Sequence, residues 1–253
     1  MSAAQKIEDT VEFAKEHYKA QTSVHKHTLL QHAIAVAKLA EVIGAKLYQD
    51  VREDYMSEDT KESVAVIVHG AILHDVINVG RCPFEYIAER TTVQIAAMVA
   101  DLSRDFRLVE TKRDMEFRGR LSTSTVGTQI VAVADIICTA QEIVALLNDQ
   151  GATAIPQAKK LVIQLDGDLL AIHAASRFYP LRLYTHAARN LLQDASKLIK
   201  ECRSRARTER ATADTIKRIQ AKVAAKQRAA AEADLPVTKE KRRGKKRTHR
   251  EDS

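Results

Sequence analysis

Three short strings constrain the fold of this chain more than any other feature: Leu30-Gln31-His32-Ala33-Ile34-Ala35-Val36-Ala37, Ile72-Leu73-His74-Asp75-Val76 and Val133-Ala134-Asp135-Ile136. Each sets one or two metal-liganding side chains into an otherwise apolar run of helical character. An unpaired imidazole or carboxylate there would cost several kcal/mol. The three segments therefore have to converge, and a shared divalent ion is the simplest partner that satisfies all of them.

The rest of the chain supports helices. It holds 8 Gly and 4 Pro in 253 residues, no Trp and 4% aromatics, which argues against sandwiches and barrels, while 45% hydrophobic content suffices for a real core. Apolar spacing predicts helices over about 7–20, 28–47, 60–77, 84–105, 125–147, 156–176 and 181–233. The third is nearly all apolar from Val64 to Leu73, as a helix buried on every side should be, and ends in the His74-Asp75 pair. Gly80 and Pro83 break the chain after it, residues 107–120 read as mixed helix and loop, and Pro156 and Pro180 suit first turns. The expectation is an all-α bundle with a long C-terminal helix.

In the order His, His-Asp, Asp, the strings resemble those of the HD-domain metal-dependent phosphohydrolases, and most of all the ppGpp hydrolase domain of the RelA/SpoT type and its small stand-alone relatives. That family has H-P-hydrophobic-x-V-A, A-x-L-L-H-D and L-A-D; the counterparts here are His32-Ala33-Ile34-Ala35-Val36-Ala37, Ala71-Ile72-Leu73-His74-Asp75 and Val133-Ala134-Asp135. The run from Tyr86-Ile87-Ala88-Glu89 through Val99-Ala100-Asp101-Leu102 reads like the family's helix after the HD pair, so the resemblance spans roughly residues 10–150. Asp135 follows Asp75 by 60 positions, close to the family's separation, whereas the longer stretch from His32 to His74 suggests an insertion around Tyr48 to Asp59.

The resemblance implies an HD-domain helical bundle with one divalent ion held by His32, His74, Asp75 and Asp135. Such a donor set suits Mn²⁺, Fe²⁺, Zn²⁺ or Mg²⁺, with Mn²⁺ the leading expectation. It also implies a nucleotide or other phosphorylated small molecule as substrate, and places Lys112 and Arg113 at the family's basic substrate-binding segment. His17 falls where the family has a histidine and is expected to pack rather than ligate; His69, five residues before His74, is expected to be a satisfied core histidine.

The chain departs from the family where the water is activated. A Glu-Asp pair follows the family's HD motif; here Asn78 and Val79 stand at those positions, and neither can accept a proton. Thr139 replaces the asparagine after L-A-D, and Gln21-Thr22 replaces an expected basic residue. General-base catalysis is worth about 10²–10⁴-fold. Three readings follow: hydrolysis of another nucleotide or phosphate ester, slow ppGpp hydrolysis, or a catalytically silent HD scaffold whose basic extension binds nucleic acid or an acidic partner.

Charge is unevenly distributed. Residues 200–253 carry 18 Lys and Arg against 8 Asp and Glu, a net +10, while residues 1–199 carry 22 against 25, or −3. The expected organisation is an HD-type helical domain over 1–178, a long basic helical extension over 179–236 and a disordered basic tail over 237–253. Dense Lys and Arg suit non-specific nucleic-acid binding. Three cysteines without C-x-x-C spacing indicate free thiols, and no apolar run approaches the ~20 residues of a membrane span, so a cytoplasmic protein without membrane contact is expected.

Overall fold

In the computed structural model, residues 3–19, 21–50, 63–176 and 179–233 are described; their regular structure is helical, joined by turns and loops, with one isolated β-bridge between Thr22 and Thr28. The chain divides into two compact units, Met1–Ser204 and Arg205–Ser253. The suggested insertion beyond Asp50 and the basic tail over 237–253 lie outside the described residues.

In the first unit, α1 (Ala3–Tyr18), α2 (Leu29–Asp50) and α3 (Val64–Leu73) are followed by the short α4 (Phe84–Arg90) and α5 (Val93–Asp101). Then come α6 (Glu110–Thr123), α7 (Val126–Gln150), a 3₁₀ turn (Gly151–Ala154), α8 (Ile155–Ala175) and the start of α9 (Tyr179–Ala233). The central α3 packs on α1, α2, α5 and α7, and its residues from Ile67 to Leu73 are all buried. Gly70 allows the close approach of α5, since a Cβ there would meet the Met98 sulfur at 2.2 Å. The same compactness explains α7, which with α8 forms a stretch long and apolar enough to cross a bilayer, contrary to the expectation of no such run; 78% of its most apolar window is buried inside the protein.

Local chemistry sets the boundaries. Thr28 and Gln31 form a reciprocal cap at the start of α2: the Thr28 N–H donates to Gln31 Oε1 (2.9 Å) and the Gln31 N–H to Thr28 Oγ1 (3.2 Å). Ser63, Thr92 and Thr125 each accept an N–H of the helix they open. The single helix expected over 84–105 is two, because Thr91 leaves helical geometry and Thr92 caps a new start. Residues 107–120 are mostly helix, in α6, and α3 stops at Leu73 rather than near Ile77, with His74 as its C-cap.

The first part of α9 packs through Leu181, Ala188, Leu192, Ala195, Ile199 and Cys202, a seven-residue repeat of buried positions. Cys82, Cys138 and Cys202 are free and buried. In the second unit every described side chain from Arg207 to Gln227 is exposed.

Candidate metal centre

His32 lies in the first turns of α2, His74 and Asp75 immediately after α3, and Asp135 midway along α7, so the site forms where these three helices meet. One donor atom each from His32, His74 and Asp135 lies within 4.8 Å of the others. His32 Nε2 is 3.0 Å from Asp135 Oδ1, and His74 Nε2 is 3.8 Å from the same oxygen and 3.5 Å from Asp75 Oδ2.

Each imidazole is fixed from behind. His32 Nδ1 is 2.9 Å from Glu142 Oε1, and the His74 Nδ1–H donates to the Ala71 carbonyl at 2.8 Å. Both rings therefore turn Nε2 towards Asp135. His74 Nε2 is buried with no hydrogen-bond partner, its nearest carboxylate oxygens standing too far away. An orphaned buried nitrogen beside two carboxylates makes a set of donors that could hold a cation. The spacing agrees: ligands about 2.1 Å from a six-coordinate ion stand about 3 Å apart when adjacent. Two histidine nitrogens and carboxylate oxygens fit a divalent ion of the borderline or hard class.

The ion-free electrostatics describe the same arrangement. Burial works against protonated His32, but hydrogen bonds to Asp135 and Glu142 outweigh it and hold its pKa up at about 10. Burial likewise opposes the Asp135 carboxylate, yet the hydrogen bond from His32 and the charges of His74 and His32 bring it down to about 2. Asp135 Oδ1 also accepts from Thr139 Oγ1 at 3.1 Å, so the threonine at the family's asparagine position orients a donor group.

Glu142 is the functional residue that sequence reasoning missed. It lies one heptad beyond Asp135 on α7 and is buried, and besides His32 it takes the Val24 N–H at 3.0 Å. Lys26 pairs with Asp149, a further heptad along, at 2.8 Å. The 21–28 loop is thus clamped to one face of α7. A carboxylate behind a liganding histidine fixes its tautomer and strengthens it as a donor.

A cavity of about 490 Å³ opens over the site and includes Asn78, Arg104, Phe106, Thr139 and Lys160 on its wall. Asn78 donates through Nδ2 to Asp75 Oδ1 (3.3 Å) and accepts the Arg104 N–H (3.1 Å), so it holds a neighbouring carboxylate in place. Of the two expected substrate-binding residues, Lys112 is exposed and Arg113 covers the Phe106 ring at 4.9 Å; neither lines the cavity. His69 is a buried partner of Thr10 Oγ1 at 2.8 Å, and His17 packs in an aromatic cluster with Phe13 and Tyr86.

No protein-family model matches the chain, and no curated protein sequence does. A solved structure described as a metazoan ortholog of SpoT that hydrolyses ppGpp and plays a role in starvation responses superposes with a TM-score of 0.52 at 12% identity, over 72% of this chain and 93% of that one. The protein therefore shares the all-helical HD-like fold.

Two outcomes follow from the site. A metal entering it must displace the proton on His32 Nε2, since the raised pKa keeps that proton bound below about pH 10. Mn²⁺ affinity should rise about tenfold per pH unit between pH 6 and 8 in isothermal titration; a flat profile would remove His32 from the ligand set. Replacing Glu142 by Leu should weaken Mn²⁺ binding about 10–100-fold by freeing the His32 ring, measured in the same titration on protein whose helical circular dichroism is unchanged.

Proposed function

We propose that the protein is a divalent-metal-dependent phosphohydrolase of the HD type acting on a nucleotide, with His32, His74, Asp75 and Asp135 as the metal ligands and Mn²⁺ as the ion. The observation that carries this reading is the pair of imidazoles, each with Nδ1 engaged elsewhere, turning Nε2 to one carboxylate beneath an open cavity. When bound, the ion lowers the pKa of a water and neutralises charge developing on a phosphate.

The chain's own residues supply positioning. Glu142 and the Ala71 carbonyl orient the histidines, Thr139 steadies Asp135, and Asn78 steadies Asp75. Asn78 cannot take a proton from the attacking water. Turnover should accordingly fall about 10²–10⁴-fold below that of a similar site with a carboxylate base there. The fold neighbour's ppGpp hydrolysis supports a nucleotide as the phosphate ester.

The second unit adds a partner surface. Residues 205–227 carry seven Lys and Arg against two acidic residues, all seven cations exposed, and their bulky apolar residues are confined to Ile216, Ile219 and Val223. This composition suits nucleic-acid phosphates better than insertion into a membrane interface, which uses a broader apolar face.

Adding Mn²⁺ to stripped protein at about 100 times Kd should raise the melting temperature by roughly 5–10 °C and bring out phosphate release from nucleotides. His74→Ala should lose both; a variant that keeps both refutes the site. Truncation after Ser204 should leave these responses intact while abolishing nucleic-acid binding. The full chain's affinity should fall with salt along a log–log slope no steeper than about −14, the limit for the 16 Lys and Arg of residues 205–253. Absence of binding at low salt would leave the helix without this partner.

A further inference from the structure

The positive charge around the cavity is largely spoken for. Among the described residues, Arg104 and Lys160 are the basic side chains on its wall besides His32 and His74. The Arg104 guanidinium donates to Asp114 at 2.6 Å and to the buried Asp168, which Arg118 also holds at 3.0 Å. In the amide orientation that satisfies both groups, Gln164 accepts from Arg104 Nε and Nη2 at 3.1 and 3.0 Å. The guanidinium plane is covered by Phe117, 4.0 Å away. Four of its five N–H donors are directed at Asp114, Asp168 and Gln164, and its charge is matched within this partly buried network, so Arg104 cannot move towards a ligand without breaking it. Lys160 pairs with Glu110 at 2.9 Å, but both are mostly exposed, so that pair is weak and Lys160 can exchange partners.

Three carboxylates, Asp75, Asp135 and Asp168, stand on the same wall. Asp75 and Asp135 match the two charges of a divalent ion, and Asp168 is matched by its arginines. The positive groups left for a substrate are therefore the ion's open face and Lys160. A phosphate monoester carries about −1.5 to −2 at neutral pH, which those groups can meet. Each further phosphate would enter a partly enclosed space with no cation to face it, and an unpaired charge there is costly. The remaining wall includes Leu29, Leu102, Phe106, Leu161 and Leu165, an apolar surface suited to an uncharged body, and the volume lies within the range of small-molecule sites.

We propose that this cavity takes a substrate bearing a single phosphoryl group on an uncharged, partly apolar body, the chemistry of a nucleoside monophosphate, in preference to nucleotides carrying several phosphates. The inference rests on the phosphohydrolase reading of the same site. In the reaction a water oxygen bonds to phosphorus as the bond from phosphorus to the ester oxygen breaks. A proton from the water ends on the released hydroxyl, giving a nucleoside and inorganic phosphate.

The test compares AMP, GMP and thymidine monophosphate with ATP and ppGpp on the full chain at fixed free Mn²⁺, measuring Kd by titration and phosphate release separately. The monophosphates should bind at least tenfold more tightly and show at least tenfold higher kcat/KM. Tighter binding or faster turnover of ATP or ppGpp overturns the inference, as does failure of the monophosphates to bind. Preferential binding of monophosphates without phosphate release upholds the inference and refutes the hydrolase reading instead.

Discussion

A histidine held between two carboxylates in the interior is the interaction on which the rest of the first unit depends. His32 on α2 reaches Asp135 with one nitrogen and Glu142 with the other, both on α7. It therefore locks the crossing of two long helices at a fixed register. Charges in that setting are tolerated only as a set: removing one partner of a buried pair costs about 3–5 kcal/mol, because the others are left uncompensated. The Tyr18 hydroxyl adds α1 to the arrangement, donating to the Ile72 carbonyl at 2.8 Å and lying 3.3 Å from the Asp75 N–H. The backbone that delivers His74 and Asp75 is thus held from two sides.

The same framework could hold either a proton or a divalent ion in its middle. Without the ion, a proton on His32 Nε2 bridges to Asp135. A divalent ion held there would take the place of that proton, and His32 Nδ1 could keep its bond to Glu142. Because Glu142 also receives the Val24 N–H, and Ser23 and Val24 line the cavity, the residue behind His32 also fixes part of the cavity wall.

Much of this was legible in the sequence, and for one reason: a buried His or Asp in an apolar helix is expensive enough to declare itself. His32, His74 and Asp135 converge as their strings required. Glu142 escaped notice because a single acidic residue on a helix usually faces water. The available signal was its spacing, since Asp135, Thr139 and Glu142 at i, i+4 and i+7 share one face of α7. The break between α4 and α5 was hidden for a similar reason. Two threonines make it, one leaving helical geometry and the other capping, without a Gly or Pro to announce it. The engagement of Arg104 could not be read at all, because Asp114 and Asp168 come from helices 10 and 64 residues away along the chain.

That last network shows how architecture limits chemistry. Arg104, Asp114, Arg118 and Asp168 join the loop after α5 to α6 and α8, and Arg104 and Asp168 are part of the cavity wall. Burial pushes the Asp168 carboxyl up, against the pull of both arginines, so the aspartate depends on keeping its partners. An arginine committed to that task keeps one N–H at most for a phosphate, and its charge is already matched by carboxylates. The exposed cations of residues 205–227 are in the opposite position, with no buried carboxylate to satisfy and little apolar surface to cover. Arg104 and Arg118 thus direct their charge at a buried carboxylate of the first unit, whereas the described cations of the second unit face solvent.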